Sequence, residues 1–534
     1  MLWITVVQRK KIPVKFNFYY NHYCTICLSG LRRRIMKLGF LFGAGAEVGY
    51  GLPSGGKFAL DIFRYDTSKS KETFKKMRDE VNTTTRYATQ WLPSGFKDKN
   101  ISSFGKSVFQ NIIKDTVEHN RKQIIKRINE FDEVAKSEAI RLKTEDGINI
   151  DSVLEDALQT ELDNIHMSQD ISFIKEFSDG NKLFDSSYFS ALLLVYKNKE
   201  LISGVERFEL GKILLSIMQL HIGALSESLT RKINDGVFEK KDDEIDIFDD
   251  IGEIIQLNYA SSGLSGMEYL LEQRKAQTET ESGKILKFAQ NIIESLYAVV
   301  LDYKSLIDSN WHYLYSPESD WAKFCKICIF LLNVRNYIAG IAEKAAPHTK
   351  QGYYHLLKDA MDRSLFEVSA IATTNYNEFI KDILCQRIAF LNGSTEMWYD
   401  PYVNRIGTKD ELTSSEKHIL VPLMFTQSGT KPMTSIEMSI RYVETYKEWK
   451  NSDAIVIVGF GFGTDDEHIN GIIRTLLDVD DKKIVIVTLD TSTDKDYARK
   501  LKTLKSDNIQ IIRVDKEGKV SGTDKTWIDA ICSP

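Results

Sequence analysis

The sequence predicts an α/β fold that combines a doubly wound parallel sheet with a large all-helical insertion. Short continuous apolar runs, such as SDAIVIVGFGFG at residues 452–463, alternate with helical segments in the C-terminal third. Such runs are typical of strands that are buried on both faces of a parallel sheet. Between residues 66 and 365, in contrast, apolar residues recur at spacings of three and four among many charges. That spacing is typical of amphipathic helices.

The first element of the sheet lies in the stretch KLGFLFGAGAEVGYGLPSGGKFALDIF. Residues 38–42 predict a short strand, residues 43–45 a turn of small residues, and residues 57–63 the start of a helix. Such a unit can present backbone N–H groups and the positive end of a helix to an anion. The stretch matches neither the G-x-G-x-x-G motif nor the P-loop. A phosphate cradle and an ordinary tight turn therefore both remain open.

Further strands are predicted at residues 366–376, 387–394, 418–425, 452–463, 482–490 and 508–514. Together with the first strand they predict a Rossmann-like domain made of residues 36–65 and 366–534, with residues 66–365 as the helical insertion. Open parallel sheets bind ligands at the carboxyl ends of their strands. The turns at residues 43–47, 374–377 and 459–463 follow three such ends, and we expect them to converge on one crevice.

The composition narrows the class of protein. The chain has 534 residues, of which 43% are apolar and 27% charged, and its formal charge is -5. This mix is typical of a globular protein and gives no overall basic field for nucleic acid, although a local basic patch stays open. The sequence contains no run of about 18 uncharged apolar residues, so it predicts no membrane span. Six cysteines in a chain of this length indicate a reducing, cytoplasmic compartment rather than a disulfide scaffold.

Two further features bear on organisation and metal binding. The pairs Cys24/Cys27 and Cys325/Cys328 lie too far apart for a zinc ribbon, and the second pair falls in a predicted buried helix, so no metal is expected. Residues 1–35 carry seven basic residues and no acidic ones. We interpret them as an N-terminal extension, either a basic arm or the product of an upstream start site, before a structured protein that begins near Met36.

The predicted strand ends carry candidate site residues. Asn375 ends an apolar strand, where its amide could orient a carboxamide or a water molecule near a reacting carbon. Asp465, Asp466 and Glu467 could bind ribose hydroxyls or favour the start of the following helix through its dipole. His468, in the first turn of that helix, is a candidate for proton transfer near neutral pH, with a structural role as the alternative.

These segments resemble the sirtuin-like family. GAGAEVGYGLPSG is similar to its phosphate-loop motif, in which a G-A-G turn precedes a G-[IL]-P segment, and TTNYN is similar to the T-x-N-Y-D motif of its bacterial members. GFGFGTDDEHIN resembles the segment G-[YF]-[SG]-F-x-D-x-H-I-N. The three motifs occur in the family order at predicted strand ends. They cover only the α/β part, about 200 residues; the helical insertion has no counterpart.

The resemblance implies that NAD binds in a sirtuin-type crevice. It places Asn375 beside the nicotinamide ribose, the G-A-G turn at the pyrophosphate, and residues 459–461 near the ribose and adenine. The chain looks most like the antiphage branch, whose members hydrolyse NAD to nicotinamide and ADP-ribose and often work with a HerA-type ATPase or another sensor. In that case the helical insertion would provide oligomer or partner contacts. The implied catalytic residues are Asn375 and His468, and the implied cofactor-binding residues are Gly43, Ala44, Gly45, Glu47, Pro53, Thr374, Asn377, Asn392, Gly459, Phe460, Gly461 and Asp466.

The chain departs from the family pattern at two positions. Asn392 stands where the family has a catalytic histidine, and Asn377 stands where it has an aspartate. Loss of a positioned base typically lowers a rate by about 10²–10⁴-fold. Two outcomes follow: hydrolysis with little help from a base, assisted by His468 or Asp466, or binding of NAD or ADP-ribose without turnover. A protein deacylase is the weakest alternative, because no residue marks an acyl-lysine groove.

Overall fold

The structure is a computed structural model. It describes residues 35–52, 55–104, 117, 120–166, 182–225, 263–272, 276–300, 311–345, 352–413, 416–424, 435–463, 466–489, 492–515 and 517–532. The predicted extension 1–35 lies outside this range except for its last residue, as do the two cysteines of the first pair.

The described part of the chain contains nine strands: β1 (Lys37–Phe42), β2 (Glu367–Thr373), β3 (Ile388–Phe390), β4 (Gly393–Asp400), β5 (Arg405–Gly407), β6 (Val421–Met424), β7 (Ala454–Val458), β8 (Lys483–Thr488) and β9 (Ile509–Arg513). Six of them form a parallel sheet in the order β3-β2-β1-β7-β8-β9. Along the chain, β2 and β3 are added beside β1 on one side, and β8 and β9 are added beside β7 on the other side. The topological switch point therefore lies between β1 and β7, where open sheets of this kind bind ligands.

The described helices are α1 (Gly55–Arg64), α2 (Ser68–Glu80), α3 (Arg121–Asn129), α4 (Phe131–Glu145), α5 (Ile150–Leu158), α6 (Ser187–Lys197), α7 (Gly204–Leu225), α8 (Leu264–Glu272), α9 (Glu281–Val300), α10 (Trp321–Lys344), α11 (Tyr353–Asp362), α12 (Phe379–Leu384), α13 (Lys409–Leu412), α14 (Ile436–Lys450), α15 (Glu467–Asp478), α16 (Asp494–Leu501) and α17 (Trp527–Cys532). Helices α1–α11 lie between β1 and β2 in the chain. An α/β fold with a parallel sheet, compatible with a Rossmann-like architecture, is thus confirmed.

Apolar side chains cover the parallel sheet on both faces. On one face, Phe40 and Phe42 of β1 pack with helices α11, α12 and α17. On the other face, Leu41 and the β7 residues Ile455 and Ile457 pack with α14, α15 and α16. Successive residues of a strand point to opposite faces, so the continuous apolar runs follow from burial on both sides.

One predicted strand forms, but the prediction of the sheet to which it belongs was wrong. The segment predicted at residues 418–425 does form a strand, β6, but it pairs antiparallel with β4 in a separate three-stranded sheet, β5-β4-β6. The small sheet packs against α10, and its residues Trp398 and Leu423 belong to the core of the helices. Helix α11, conversely, belongs to the core of the parallel sheet. Packing therefore crosses residue 365, the predicted end of the helical insertion, in both directions.

Helix α10 is long and apolar enough to cross a membrane by length and composition, and 67% of its most apolar window is buried inside the protein. Burial of this kind is also found in core helices of soluble proteins, so the helix is weak evidence for a membrane span. Cys325 and Cys328 are buried in it, and burial raises the pKa of both thiols above the ordinary value. The predicted buried helix is confirmed.

Candidate functional site

The three predicted turns meet at the switch point. The Gly43 N–H donates to Val458 O at 2.9 Å, and the Gly45 N–H donates to Gly459 O at 2.9 Å. The Asn375 amide donates through Nδ2 to Gly43 O at 3.1 Å. Turns that are more than 300 residues apart in the chain thus form one hydrogen-bonded cluster at the carboxyl ends of β1, β2 and β7.

Two of the motif glycines are required by the close approach of these backbones. Gly459 has a φ of +63°, and a Cβ there would lie 2.2 Å from Ala46 N. A Cβ on Gly43 would lie 2.7 Å from Gly459 O. Gly461 differs, because a Cβ there would meet no atom of the described residues within 4 Å. Of Gly43, Gly459 and Gly461, it is Gly461 whose Cα has space beside it, among the described residues, that a ligand could enter.

Most backbone N–H groups of the turn at residues 43–47 already donate to carbonyl oxygens of the protein. The N–H groups of Gly43, Gly45, Ala46 and Glu47 all donate to backbone carbonyl oxygens at 2.9–3.0 Å. Among the described residues, no carbonyl accepts from the Ala44 N–H. A phosphate that reached this turn would therefore find one backbone donor there rather than a row of them.

Glu47 is buried beneath the turn, with 3% of its surface exposed. Tyr354 of α11 donates its hydroxyl to Oε1 at 2.7 Å, and Asn377 donates Nδ2 to Oε2 at 2.5 Å. Burial raises the pKa of Glu47 from an ordinary 4.5 to about 7, although the hydrogen bonds that it accepts oppose this shift. The carboxyl group can therefore change its charge near neutral pH.

The orientation of the Asn375 amide follows from its partners. Nδ2 contacts both Gly43 O, which can only accept, and Tyr354 Oη at 3.2 Å. The Asn375 N–H donates to the Thr373 hydroxyl at 3.0 Å and so holds the backbone as β2 ends. Among the described residues no group donates to Asn375 Oδ1, which leaves this oxygen as an acceptor for a ligand. The neighbouring Thr374 is bonded to Phe42 O through its N–H.

Asn377 and Asn392 are both buried, with 4% of each exposed, but their side chains differ in what they contact. Asn377 uses Nδ2 on Glu47 and accepts from the Phe379 N–H through Oδ1 at 3.1 Å, so both polar atoms of its amide have a protein partner. Asn392 donates to Thr374 O at 3.5 Å, and its buried Oδ1 has no partner among the described residues. A buried acceptor of this kind next to the site is a candidate ligand contact.

His468 and Asp466 lie at the start of α15, on the face of the sheet opposite α11. The His468 ring packs edge-on against Tyr442 of α14, with ring centroids 5.5 Å apart. Asp466 precedes α15 but makes no side-chain hydrogen bond to the helix N–H groups. Glu467 pairs with Arg474 at 2.5 Å. The predicted choice between helix capping and ribose binding therefore stays open for Asp466, while Glu467 is engaged in an ion pair.

Phe460 points away from the cluster. It is 7% exposed and packs edge-on against Phe462 at 5.1 Å in the core beneath α15. Asn470 donates to Gly463 O at 2.9 Å and so ties the glycine-rich loop to α15. Phe460 thus shapes the loop through its backbone, whereas its ring is part of the core.

Sequence reasoning missed Tyr354, which contacts both Glu47 and Asn375. No motif marks it, because it lies in an ordinary amphipathic helix, α11, before β2. Tyr50 was also missed; its ring stacks on Tyr354 with centroids 5.5 Å apart. Pro53 and Asp465, both named from the sequence, lie outside the described residues.

No protein-family model, no curated protein and no solved structure matches the chain. Among the described residues no group of three or more His, Cys, Asp or Glu side chains could hold a metal ion.

Proposed function

We propose that the protein is an NAD hydrolase of sirtuin-like type that cleaves NAD to nicotinamide and ADP-ribose. The observation that carries the proposal is the contact between the Gly43 turn, Asn375 and the Gly459 turn at the switch point of a parallel sheet. This is where doubly wound sheets bind nucleotides.

In the proposed reaction the bond between the ribose C1′ and the nicotinamide nitrogen breaks, and a water oxygen bonds to C1′. Nicotinamide leaves with the electron pair of the broken bond, and the water releases one proton. Asn375 Oδ1 would accept from the attacking water or a ribose hydroxyl, and Asn392 Oδ1 would accept from a second donor of the ligand. The adenosine half would lie beside Gly461, where space is open. His468 or Asp466 would take up the proton.

The proposed setting is the bacterial cytoplasm, where the enzyme would act as an effector of antiphage defence by abortive infection. Activity that depletes NAD has to be restrained in a healthy cell, so we propose that a homo-oligomer or a phage-sensing partner, such as a HerA-type ATPase, controls it through the helices.

A second candidate is a regulatory subunit that binds NAD or ADP-ribose without turnover. It is favoured by Asn377, whose amide nitrogen and oxygen both already have a protein partner, and by Asn392, which cannot act as a base near pH 7.

Release of nicotinamide from NAD separates the two candidates. We expect release by the purified protein, alone or with the product of a neighbouring gene, and a fall of about 100-fold in Asn375→Ala, since loss of positioning by about 1 Å can have that effect. Melting temperatures of both proteins should be compared, because Asn375 also bonds to the Gly43 turn. NAD binding without release under any condition would establish the second candidate, and His468→Ala with unchanged turnover would remove His468 from the mechanism.

A further inference from the structure

We infer that Glu47 and Tyr354 are positioning residues that hold the Asn375 amide with Oδ1 toward the ligand. This inference rests on the proposed function of the same site. It goes beyond the motifs, since Tyr354 lies on a helix outside all three of them.

The contacts form a chain that fixes the direction of each hydrogen bond. A carboxylate can only accept, so ionised Glu47 requires the Tyr354 hydroxyl to donate to it at 2.7 Å. The Tyr354 oxygen is then the acceptor for Asn375 Nδ2 at 3.2 Å. Gly43 O takes the second proton of the same amide at 3.1 Å. Because both Nδ2 protons of Asn375 point to Gly43 O and to the Tyr354 oxygen, the Oδ1 atom of the same amide has to face away from these two groups.

Protonation of Glu47 disrupts the directions of these hydrogen bonds. Asn377 donates to Oε2, so the added proton belongs on Oε1, where it would be donated to the Tyr354 oxygen. The Tyr354 hydroxyl proton then needs a new acceptor, and Asn375 Nδ2 cannot serve as one. An amide flip would provide one, but it would set Oδ1 against Gly43 O. The orientation of Asn375 is therefore tied to the charge of Glu47.

The groups around Glu47 make it the titrating member of the cluster near neutral pH. The titratable groups that face it are Tyr354 from α11 and Tyr50 from the turn, and the pKa of each is raised above its ordinary value, chiefly by burial. Tyr50 contacts His355 Nδ1 at 3.1 Å on its far side. Because the pKa of Glu47 is about 7, its charge changes between pH 6 and 8.

The test compares Tyr354→Phe with a matched control, Tyr353→Phe. Tyr353 is the neighbouring residue of α11, also buried, and its hydroxyl donates to Asp515 O at 2.6 Å, away from the cluster. We expect wild-type turnover to rise with pH between 6 and 8. Tyr354→Phe should lose about 10- to 100-fold in kcat at pH 8 and lose this pH step, whereas Tyr353→Phe should keep both.

Glu47→Gln provides a second variant that keeps the size of the side chain without its charge. We expect low turnover at every pH between 6 and 8. Its stability gives a readout that does not depend on catalysis. The pKa of Glu47 is raised in the folded state, so its stabilising effect is present below about pH 4.5 and is lost as pH rises through about 7. The melting temperature of the wild type should therefore fall from pH 5 to pH 8 relative to Glu47→Gln.

The outcomes distinguish this inference from the proposed function. If the wild type binds NAD but does not cleave it, the NAD affinity should rise between pH 6 and 8, and Tyr354→Phe should abolish that rise. A Tyr354→Phe protein that matches the wild type in rate or affinity and in pH profile would overturn the positioning role alone. A wild type that neither binds nor cleaves NAD would overturn both proposals.

Discussion

Two glycines of one motif show how residues of the same type can serve different physical purposes. Gly459 and Gly461 are separated by one residue, yet only Gly459 has positive φ and backbone atoms within 3 Å of its missing Cβ. At Gly459 a side chain would be strained and would collide with backbone, because this glycine lies against the Gly43 turn. Gly461 is exposed and has room beside it, so its lack of a side chain bears on ligand access.

Alanine substitutions should separate these two roles. Gly459→Ala combines an unfavourable φ with contacts of 2.2–2.8 Å to backbone, and we expect it to lower the free energy of unfolding by about 2–4 kcal/mol. Gly461→Ala should change stability by less than about 0.5 kcal/mol and weaken NAD binding. Urea unfolding and calorimetric titration with NAD measure the two effects. Equal loss of stability in both variants would contradict the assignment.

A charged cluster connects the small sheet to the helices. His418, just before β6, bonds through Nδ1 to Asp400 of β4 at 2.6 Å and through Nε2 to Glu416 at 3.2 Å. Its ring lies 4.2 Å from that of Tyr87, whose hydroxyl accepts from the Ile419 N–H. Burial alone would lower the pKa of His418, but the bonds to the two carboxylates outweigh it and raise the pKa.

Removal of this imidazole should therefore destabilise the protein in a pH-dependent way. His418→Asn leaves Asp400, which is 2% exposed, without its cationic partner, and we expect a loss of about 2–4 kcal/mol at pH 6. Since the folded-state pKa is raised, the stabilisation is present below about pH 6.5 and is lost as pH rises through the folded-state value. The difference between variant and wild type should shrink by pH 9. His312→Asn, at an exposed position, is the control, and a gap that is independent of pH would argue against a charged His418.

At the scale of the whole molecule, the sequence predicts the central strands β1, β7 and β8 of the parallel sheet because they are buried on both faces and leave continuous apolar runs. It does not predict the small sheet, since β4 mixes polar and apolar residues and its pairing with β6 is irregular between Gly393 and Trp398. The three turns were predictable from small residues and asparagine at strand ends. The bond from Tyr354 to Glu47 was not, because it joins residues 307 positions apart and no local pattern encodes it.

Packing that crosses residue 365 in both directions predicts that the parallel sheet and the helices unfold together. Leu423 of β6 is 1% exposed and packs in the core of the helices. The chain passes directly from β3, in the parallel sheet, to β4, which pairs with β6 in the small sheet. Leu423→Ala should lower the free energy of unfolding by about 2–5 kcal/mol, whereas Leu504→Ala, at a fully exposed leucine, should have almost no effect.

Hydrogen exchange reports whether Leu423→Ala destabilises the parallel sheet as well as the helices. If the molecule is one cooperative unit, Leu423→Ala should lower the protection of amides in β1 and β7 by the same free energy as in α9 and α10, even though β1 and β7 lie outside the core that contains Leu423. Protection that falls in α9 and α10 but not in the parallel sheet would show two independently stable units. In that case changes among the helices would reach the Glu47 cluster through contacts such as those of Ile341 and Ala342 of α10, which pack against the core that contains Tyr354.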